Sequence, residues 1–149
     1  MKNLFLLNVC LLILTSCEGF LKTEEEKAGA EATAFATVYF NFKYQTAKEY
    51  VTEESEKWIV FAASNVTQAD LDVINAEEPA EVELLQSYLE TDTTAVSVLN
   101  VTNYLSLDSV EGSVRHVEQG EFLIPLVKRD GRWKVRMANL LQSETPNHD

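Results

Sequence analysis

The apolar residues of this chain follow three rhythms. Leu4 to Leu14 is a nearly unbroken apolar run of eleven residues. From Ala28 to about residue 76 apolar side chains recur every three or four positions, the spacing that gathers them on one face of a helix. Beyond Pro79 the spacing shortens to two, the period of a strand. The first expected element is a long helix that opens at Thr23. Thr23 and Glu26 have capping-box spacing, and Glu24, Glu25 and Glu26 place carboxylates at the positive end of the helix. Phe35, Val38, Tyr39 and Phe42 then share a face, and Ala30, Ala32, Ala34 and Ala36 are small enough for close approach to a second layer. Thr46-Ala47-Lys48-Glu49 repeats the capping pattern ahead of a short second helix carrying Tyr50 and Val51. Glu53 to Asn65, with Trp58, Ile59, Val60 and Phe61, reads as a third helix. Thr67 to Asp70 caps a fourth with Leu71, Val73 and Ile74. Pro79 ends the helical half, because proline has no amide N–H and its ring collides with the preceding turn.

In the second half Val82, Leu84, Leu85, Tyr88 and Leu89 alternate with one slip, the mark of a strand with a bulge. Thr91-Asp92-Thr93-Thr94 supplies its turn. Val96, Val98, Leu99 and Val101 carry a second strand towards Tyr104 and Leu105, and Asp108 to Gly112 is a loop. The clearest hairpin joins Phe122-Leu123-Ile124-Pro125-Leu126-Val127 to Arg132-Trp133-Lys134-Val135-Arg136-Met137 through Asp130-Gly131. Asp-Gly suits a type I′ turn, in which both central residues need positive φ. On the return strand Trp133, Val135 and Met137 face one way and Arg132, Lys134 and Arg136 the other. Helices followed by an antiparallel sheet define an α+β fold with the helices on one face of the sheet.

Composition changes the picture most at the N-terminus. Lys2, the apolar run and the small residues after it have the anatomy of a signal peptide. A membrane span needs roughly 20 apolar residues, about twice this run, and Glu18 and Gly19 follow at once, so no permanent transmembrane helix is expected. Leu14-Thr15-Ser16-Cys17 resembles the lipobox of bacterial lipoproteins, where an ordinary secretory site would end in an Ala-x-Ala-like triplet. The resemblance implies cleavage before Cys17 and acyl chains on its thiol and amine. Each buried methylene contributes about 0.8 kcal/mol, so two or three chains hold a protein on a membrane for long periods. The expected layout is a lipoprotein signal peptide over 1–16, a lipidated tether over 17–22, one domain over 23–142 and a flexible tail over 143–149. The expected place is the bacterial cell envelope, on the outer membrane, at its periplasmic face or the cell surface. The acidic run after the tether resembles surface-export signals of some Gram-negative lipoproteins. With Cys10 removed and Cys17 acylated, the folded part holds no thiol for a disulfide, a nucleophile or a metal. The net charge of −12 becomes −13 once Lys2 is lost. Such acidity argues against nucleic acid, which needs Lys and Arg grouped on one face, and against electrostatic docking on anionic lipid.

Lys128-Arg129-Asp130-Gly131-Arg132-Trp133-Lys134-Val135 follows an apolar strand and, far upstream, a long helix that leads into Ala47-Lys48-Glu49-Tyr50-Val51-Thr52. This combination resembles the NTF2-like superfamily, and within it small lipoproteins with a domain of unknown function. The resemblance covers residues 23–141. It implies a curved sheet wrapped by helices into a cone, often with a pocket and often dimeric through the sheet. Enzymes of the superfamily, such as ketosteroid isomerase, scytalone dehydratase and limonene epoxide hydrolase, use Asp, Tyr, His or Arg buried in the cone as acid, base or oxyanion partner. Phe35, Tyr39, Trp58, Tyr88 and Trp133 are the candidates to line such a pocket, although aromatics at these spacings are first of all core residues.

Dedicated chemistry is sparse. His148 belongs to the tail. His116 alternates with Val114 and reads as a strand-surface histidine rather than a base at a pocket mouth. Asp70 and Asp72 cannot share a helical face, and Glu81 and Glu83 read as the wet side of a strand. The chain has no Gly-rich phosphate loop, no His-x-x-x-His spacing and no Gly-x-Ser-x-Gly elbow, so no cofactor and no metal is expected. Asn65-Val66-Thr67 and Asn100-Val101-Thr102 fit the eukaryotic sequon by chance in a bacterial lipoprotein. Asp92-Thr93-Thr94 and Asp108-Ser109-Val110 resemble bacterial O-glycosylation sites, at Thr93 and Ser109. The expectation is a non-enzymatic envelope lipoprotein, with Cys17 lipidated, whose cone binds a small apolar ligand or a protein partner, or pairs as a homodimer. The alternative is a pocket enzyme of isomerase, dehydratase or hydrolase type. A third reading, a structural or assembly role, expects a filled cone and an exposed apolar sheet face.

Overall fold

The computed structural model of the chain describes residues 21–76, 78–107 and 115–144. The signal peptide, Cys17, most of the tether, the Asp108 to Gly112 loop with Ser109, Val114 and His148 lie outside the described residues.

Helix α1 spans Glu24–Phe40. Its cap forms as the spacing requires: Glu26 N–H donates to Thr23 Oγ1 at 3.2 Å, and Thr23 N–H donates to Glu26 Oε2 at 2.9 Å. The helix buries Ala28, Gly29, Ala32, Phe35, Ala36, Tyr39 and Phe40. Phe40, rather than Phe42, therefore completes the apolar face. Phe42 sits past the helix end with φ 63°. Lys43 N–H donates to the Val38 carbonyl at 2.9 Å and Phe42 N–H to that of Tyr39 at 3.1 Å. These two bonds close a Schellman motif, whose left-handed position is usually glycine. Asn41 then ties the helix end to the start of the sheet: its Nδ2 donates to the Ala80 carbonyl and its Oδ1 accepts from Ala80 N–H, both at 3.0 Å.

The next segment departs from expectation. Helix α2 covers Tyr44–Ala47, and Lys48–Tyr50 adds one 3₁₀ turn. Thr46 thus lies inside a helix instead of capping one, and Val51 is extended. Val51 forms a parallel bridge to Val135, and Thr52 N–H donates to the Val135 carbonyl at 2.9 Å. A distant strand edge offers this segment hydrogen bonds and burial that a second helix would not. A 3₁₀ turn over Glu53–Ser55 leads into α3, Glu56–Asn65, which buries Ile59 and Ala62. Helix α4, Gln68–Ala76, starts as expected, with Thr67 N–H donating to Asp70 Oδ2 at 2.7 Å and Asp70 N–H to Thr67 Oγ1 at 3.3 Å.

The four strands β1 (Glu81–Thr91), β2 (Thr94–Ser106), β3 (Arg115–Arg129) and β4 (Arg132–Val135) pair antiparallel in chain order. Leu84 pairs with Leu99 but Gln86 with Val98, so Leu85 is the extra residue of the expected bulge. Asp130 at φ 52° and Gly131 at φ 76° make the expected turn between β3 and β4. Thr93 lies in the tight β1–β2 turn, its carbonyl accepting from Lys128 N–H at 2.7 Å. The sheet's inner face presents Ala95, Ser97, Leu99, Val101, Phe122, Ile124, Leu126, Trp133 and Val135, all buried beneath the helices. The architecture is the expected α+β arrangement, with helices covering one face of an antiparallel sheet.

Candidate functional site

Side chains fill the interior between α1 and the sheet. Phe35, Tyr39, Phe40, Tyr104 and Phe122 form a ring cluster: the Phe40–Phe122 centroids are 4.8 Å apart and those of Tyr104–Phe122 are 5.2 Å apart. Such tilted and edge-on contacts add about 0.5–1.5 kcal/mol per pair beyond the area they bury. The gap left beside Tyr39, Tyr104 and Phe122 has a volume of about 10 Å³, room for one water at most. Among the described residues the buried Thr and Ser side chains are Thr52, Ser55 and Ser97. Thr52 Oγ1 and Ser55 Oγ share a hydrogen bond of 2.7 Å, Met137 N–H donates to Ser55 Oγ at 2.8 Å, and Ser97 Oγ meets Ser87 Oγ at 2.9 Å. Burial pushes the Tyr39 and Tyr44 hydroxyls well above the usual tyrosine range, so both stay protonated at neutral pH.

The five aromatic candidates do not converge on one cavity. Phe35 and Tyr39 belong to the core. Trp58 lines a cleft of about 220 Å³ with Arg129, Arg136 and Met137. Tyr88 stands on the sheet's other face, 40% exposed. Trp133 is buried, with one edge reaching a separate cleft beside β4. His116 is exposed on β3 opposite Leu105, and Glu81 and Glu83 are exposed on β1. Among the described residues no His, Cys, Asp and Glu side chains group so as to hold a metal, and no helix is long and apolar enough to cross a membrane.

A charged cluster centred on Glu24 includes only Trp133 of the expected site residues. Glu24, in the first turn of α1, accepts from Lys128 Nζ at 2.7 Å and Trp133 Nε1 at 3.0 Å on one oxygen, and from Lys27 Nζ at 2.7 Å on the other. The Lys128 bond, joined by those from Lys27 and Trp133, holds its carboxyl down at about 2, from an ordinary value of 4.5. Because the folded value is depressed, the stabilisation is complete above pH about 4.5 and is lost as pH falls towards 2. The expected result is that Glu24→Gln melts below wild type at pH 7, and that the gap closes as pH approaches 2. Thermal unfolding followed by circular dichroism at stepped pH checks this, and a gap constant with pH would refute it.

The cleft beside β4, about 400 Å³, runs along the free edge of that strand. It is lined by Lys27 and Glu31 of α1, by Glu49 and Tyr50, and by Gly131 to Lys134. Lys134 Nζ donates to the Glu49 carbonyl. No hydrogen bond or ion pair engages the carboxylates of Glu31 and Glu49 or the guanidinium of Arg132 among the described residues.

The outer face of the sheet is the second surface of note. Register places Tyr88 opposite Val96, Val96 opposite Pro125, and Val98 opposite Leu123. These form an apolar band, with Leu123 42% exposed. Glu81, Glu83 and Glu90 are exposed along β1, while Arg132 and Arg136 are exposed on the β4 side.

No family model matches the chain, and no curated protein matches it. Similar solved structures include one from Xanthomonas campestris described as a calcium/calmodulin dependent protein kinase II association domain, at 15% identity and a TM-score of 0.41, over 85% of this chain and 93% of that one. Another is described as an Ntf2 like protein involved in plasmid conjugation, at 11% identity and a TM-score of 0.33, over 80% of this chain and 48% of that one.

Proposed function

We propose that the chain is a non-catalytic, NTF2-like docking module, carried on the bacterial outer membrane by acyl chains on Cys17, which engages a protein partner through the outer face of its sheet. The observation that carries this reading is the contrast between the two faces: the inner one is filled by rings, and the outer one leaves Tyr88 and Leu123 about two-fifths exposed. A gap of about 10 Å³ does not house a small apolar ligand, which turns the reading towards a protein. Against an enzyme of isomerase, dehydratase or hydrolase type stands the content of the interior, where the buried Thr52, Ser55 and Ser97 hydroxyls are bonded to other hydroxyls or to the main chain.

The partner is a second copy of the chain. An apolar band flanked by acidic β1 and basic β4 is complementary to itself, because laying the β1 side of one copy on the β4 side of the other brings unlike charges together. Native mass spectrometry of the detergent-extracted full chain is the test. The expected species is two chains, each lacking residues 1–16 and carrying acyl mass on Cys17, and Leu123→Glu reduces it to one chain without altering the circular dichroism. A wild-type protein that flies as one chain, or a Leu123→Glu protein that still pairs, defeats the docking reading. An unmodified Cys17 defeats the anchoring reading.

A further inference from the structure

We infer that the cleft on the β4 edge takes the free amino terminus of an extended peptide. The first observation is a short stretch of unpaired strand edge. The Val135 carbonyl accepts from Thr52 N–H at 2.9 Å, so Val135 turns its main-chain groups outward, while Arg136 N–H turns inward to the Pro125 carbonyl at 2.9 Å. With the period of two in a strand, Lys134 faces Val127 in the ladder and Trp133 faces outward like Val135. Nothing among the described residues meets the N–H and C=O of Trp133 on that side. The segment that pairs with Val135 leaves the edge as the 3₁₀ turn of Lys48–Tyr50, and Lys134 Nζ ties the Glu49 carbonyl down. An extended peptide laid along Trp133 would add a strand there, a recognised mode of peptide binding.

The second observation is that this slot is closed at one end. Val51 and Thr52 already occupy the edge at Val135, so an added strand cannot run on past them and must stop. The residues at that end, Glu49 and Tyr50, immediately precede Val51, and Glu31 lies one helical turn along α1 from Lys27. The nearby cations are engaged, Lys27 by Glu24 and Lys134 by the Glu49 carbonyl, whereas the carboxylates of Glu31 and Glu49 are unpaired. With Lys27 paired to Glu24 and Arg132 at the far end of β4, the two carboxylates outnumber the single charge of Lys134 and favour an ammonium group over a carboxylate as the chain end. The peptide then runs antiparallel to β4 and leaves past Arg132, whose unpaired guanidinium favours an acidic or polar side chain at the second or third position. A volume of about 400 Å³ is within the range of ligand sites, roughly 300–1,000 Å³.

The test is a nuclear magnetic resonance titration of the ¹⁵N-labelled full chain in detergent with tri-alanine, tri-alanine amide and N-acetyl-tri-alanine. The expected result is a saturable shift of the Trp133 main-chain amide with tri-alanine and with its amide, and binding at least tenfold weaker after N-acetylation. Glu49→Gln weakens tri-alanine at least fivefold with unchanged circular dichroism. Equal binding of the acetylated peptide, loss of binding on amidation, or a Trp133 amide that never moves would each overturn the inference.

Discussion

Phe122→Ala is expected to lower the free energy of unfolding by about 3–5 kcal/mol, the range for a phenylalanine removed from a packed core. Phe122 is 2% exposed and its ring touches those of both Phe40 and Tyr104, at 4.8 and 5.2 Å between centroids. Its neighbours are held by α1 on one side and by the β2–β3 ladder on the other, so neither can collapse into the space. The loss therefore combines the transfer term with the cavity left behind. Urea unfolding monitored by tryptophan fluorescence measures it as a fall in midpoint at constant slope. Val60→Ala on α3, where the side chain is 49% exposed, is the control and should cost less than about 0.5 kcal/mol. A loss below about 1 kcal/mol at Phe122 would mean that the interior is loosely packed.

Gly120→Ala is expected to cost about 1–3 kcal/mol, although it adds only one methyl group to the middle of a strand. A Cβ at Gly120 would lie within overlap distance of the Tyr104 hydroxyl, 2.9 Å from Ser143 Oγ and 3.0 Å from Tyr104 Cζ. Tyr104 is itself 4% exposed and wedged between Phe40 and Phe122, so it cannot swing aside without disturbing the ring cluster. The diagnostic measurement is a double-mutant cycle with Tyr104→Phe. Removing the hydroxyl should relieve part of the clash, making Gly120→Ala less costly in that background by about 0.5 kcal/mol or more. Strict additivity would show that the strain lies elsewhere.

Elements specified by neighbours along the chain are legible in the residues alone. The capping box at Thr23, the Thr67–Asp70 cap, the bulge at Leu85 and the Asp130-Gly131 turn all depend on residues within about four positions of one another. Where the deciding partner is distant, the local pattern misleads. Val51 reads as helical and becomes extended because Val135, far along the chain, offers it an edge. Phe42 falls on the helical spacing of Phe35 and Val38, yet a left-handed residue ends the helix first, with no glycine to announce it. Strand β2 is apolar on both sides, with Ala95, Leu99 and Val101 inward and Val96 and Val98 outward, so periodicity alone does not say which set is covered. Of the Glu24 cluster only the Lys27 pair is local, while Lys128 and Trp133, which tie it to the sheet, lie more than a hundred positions downstream. The expectation of a pocket groups aromatic residues by type, and in the folded chain their sizes are what fill the interior.

The same Glu24 cluster sets how the molecule bears tension. A pull applied through the residues before Thr23 enters at the first turn of α1, where Glu24 grips Lys128 on β3 and Trp133 on β4. Force is therefore handed to an interior strand, paired with β2 over most of its length and with β4 at its end, from Leu126 to Arg129, and not to β1, which has no strand on its outer edge among the described residues. Strands loaded in this way must shear many hydrogen bonds together instead of unzipping one at a time. Under the proposed attachment at Cys17, the domain would be clamped at the point where the strain arrives.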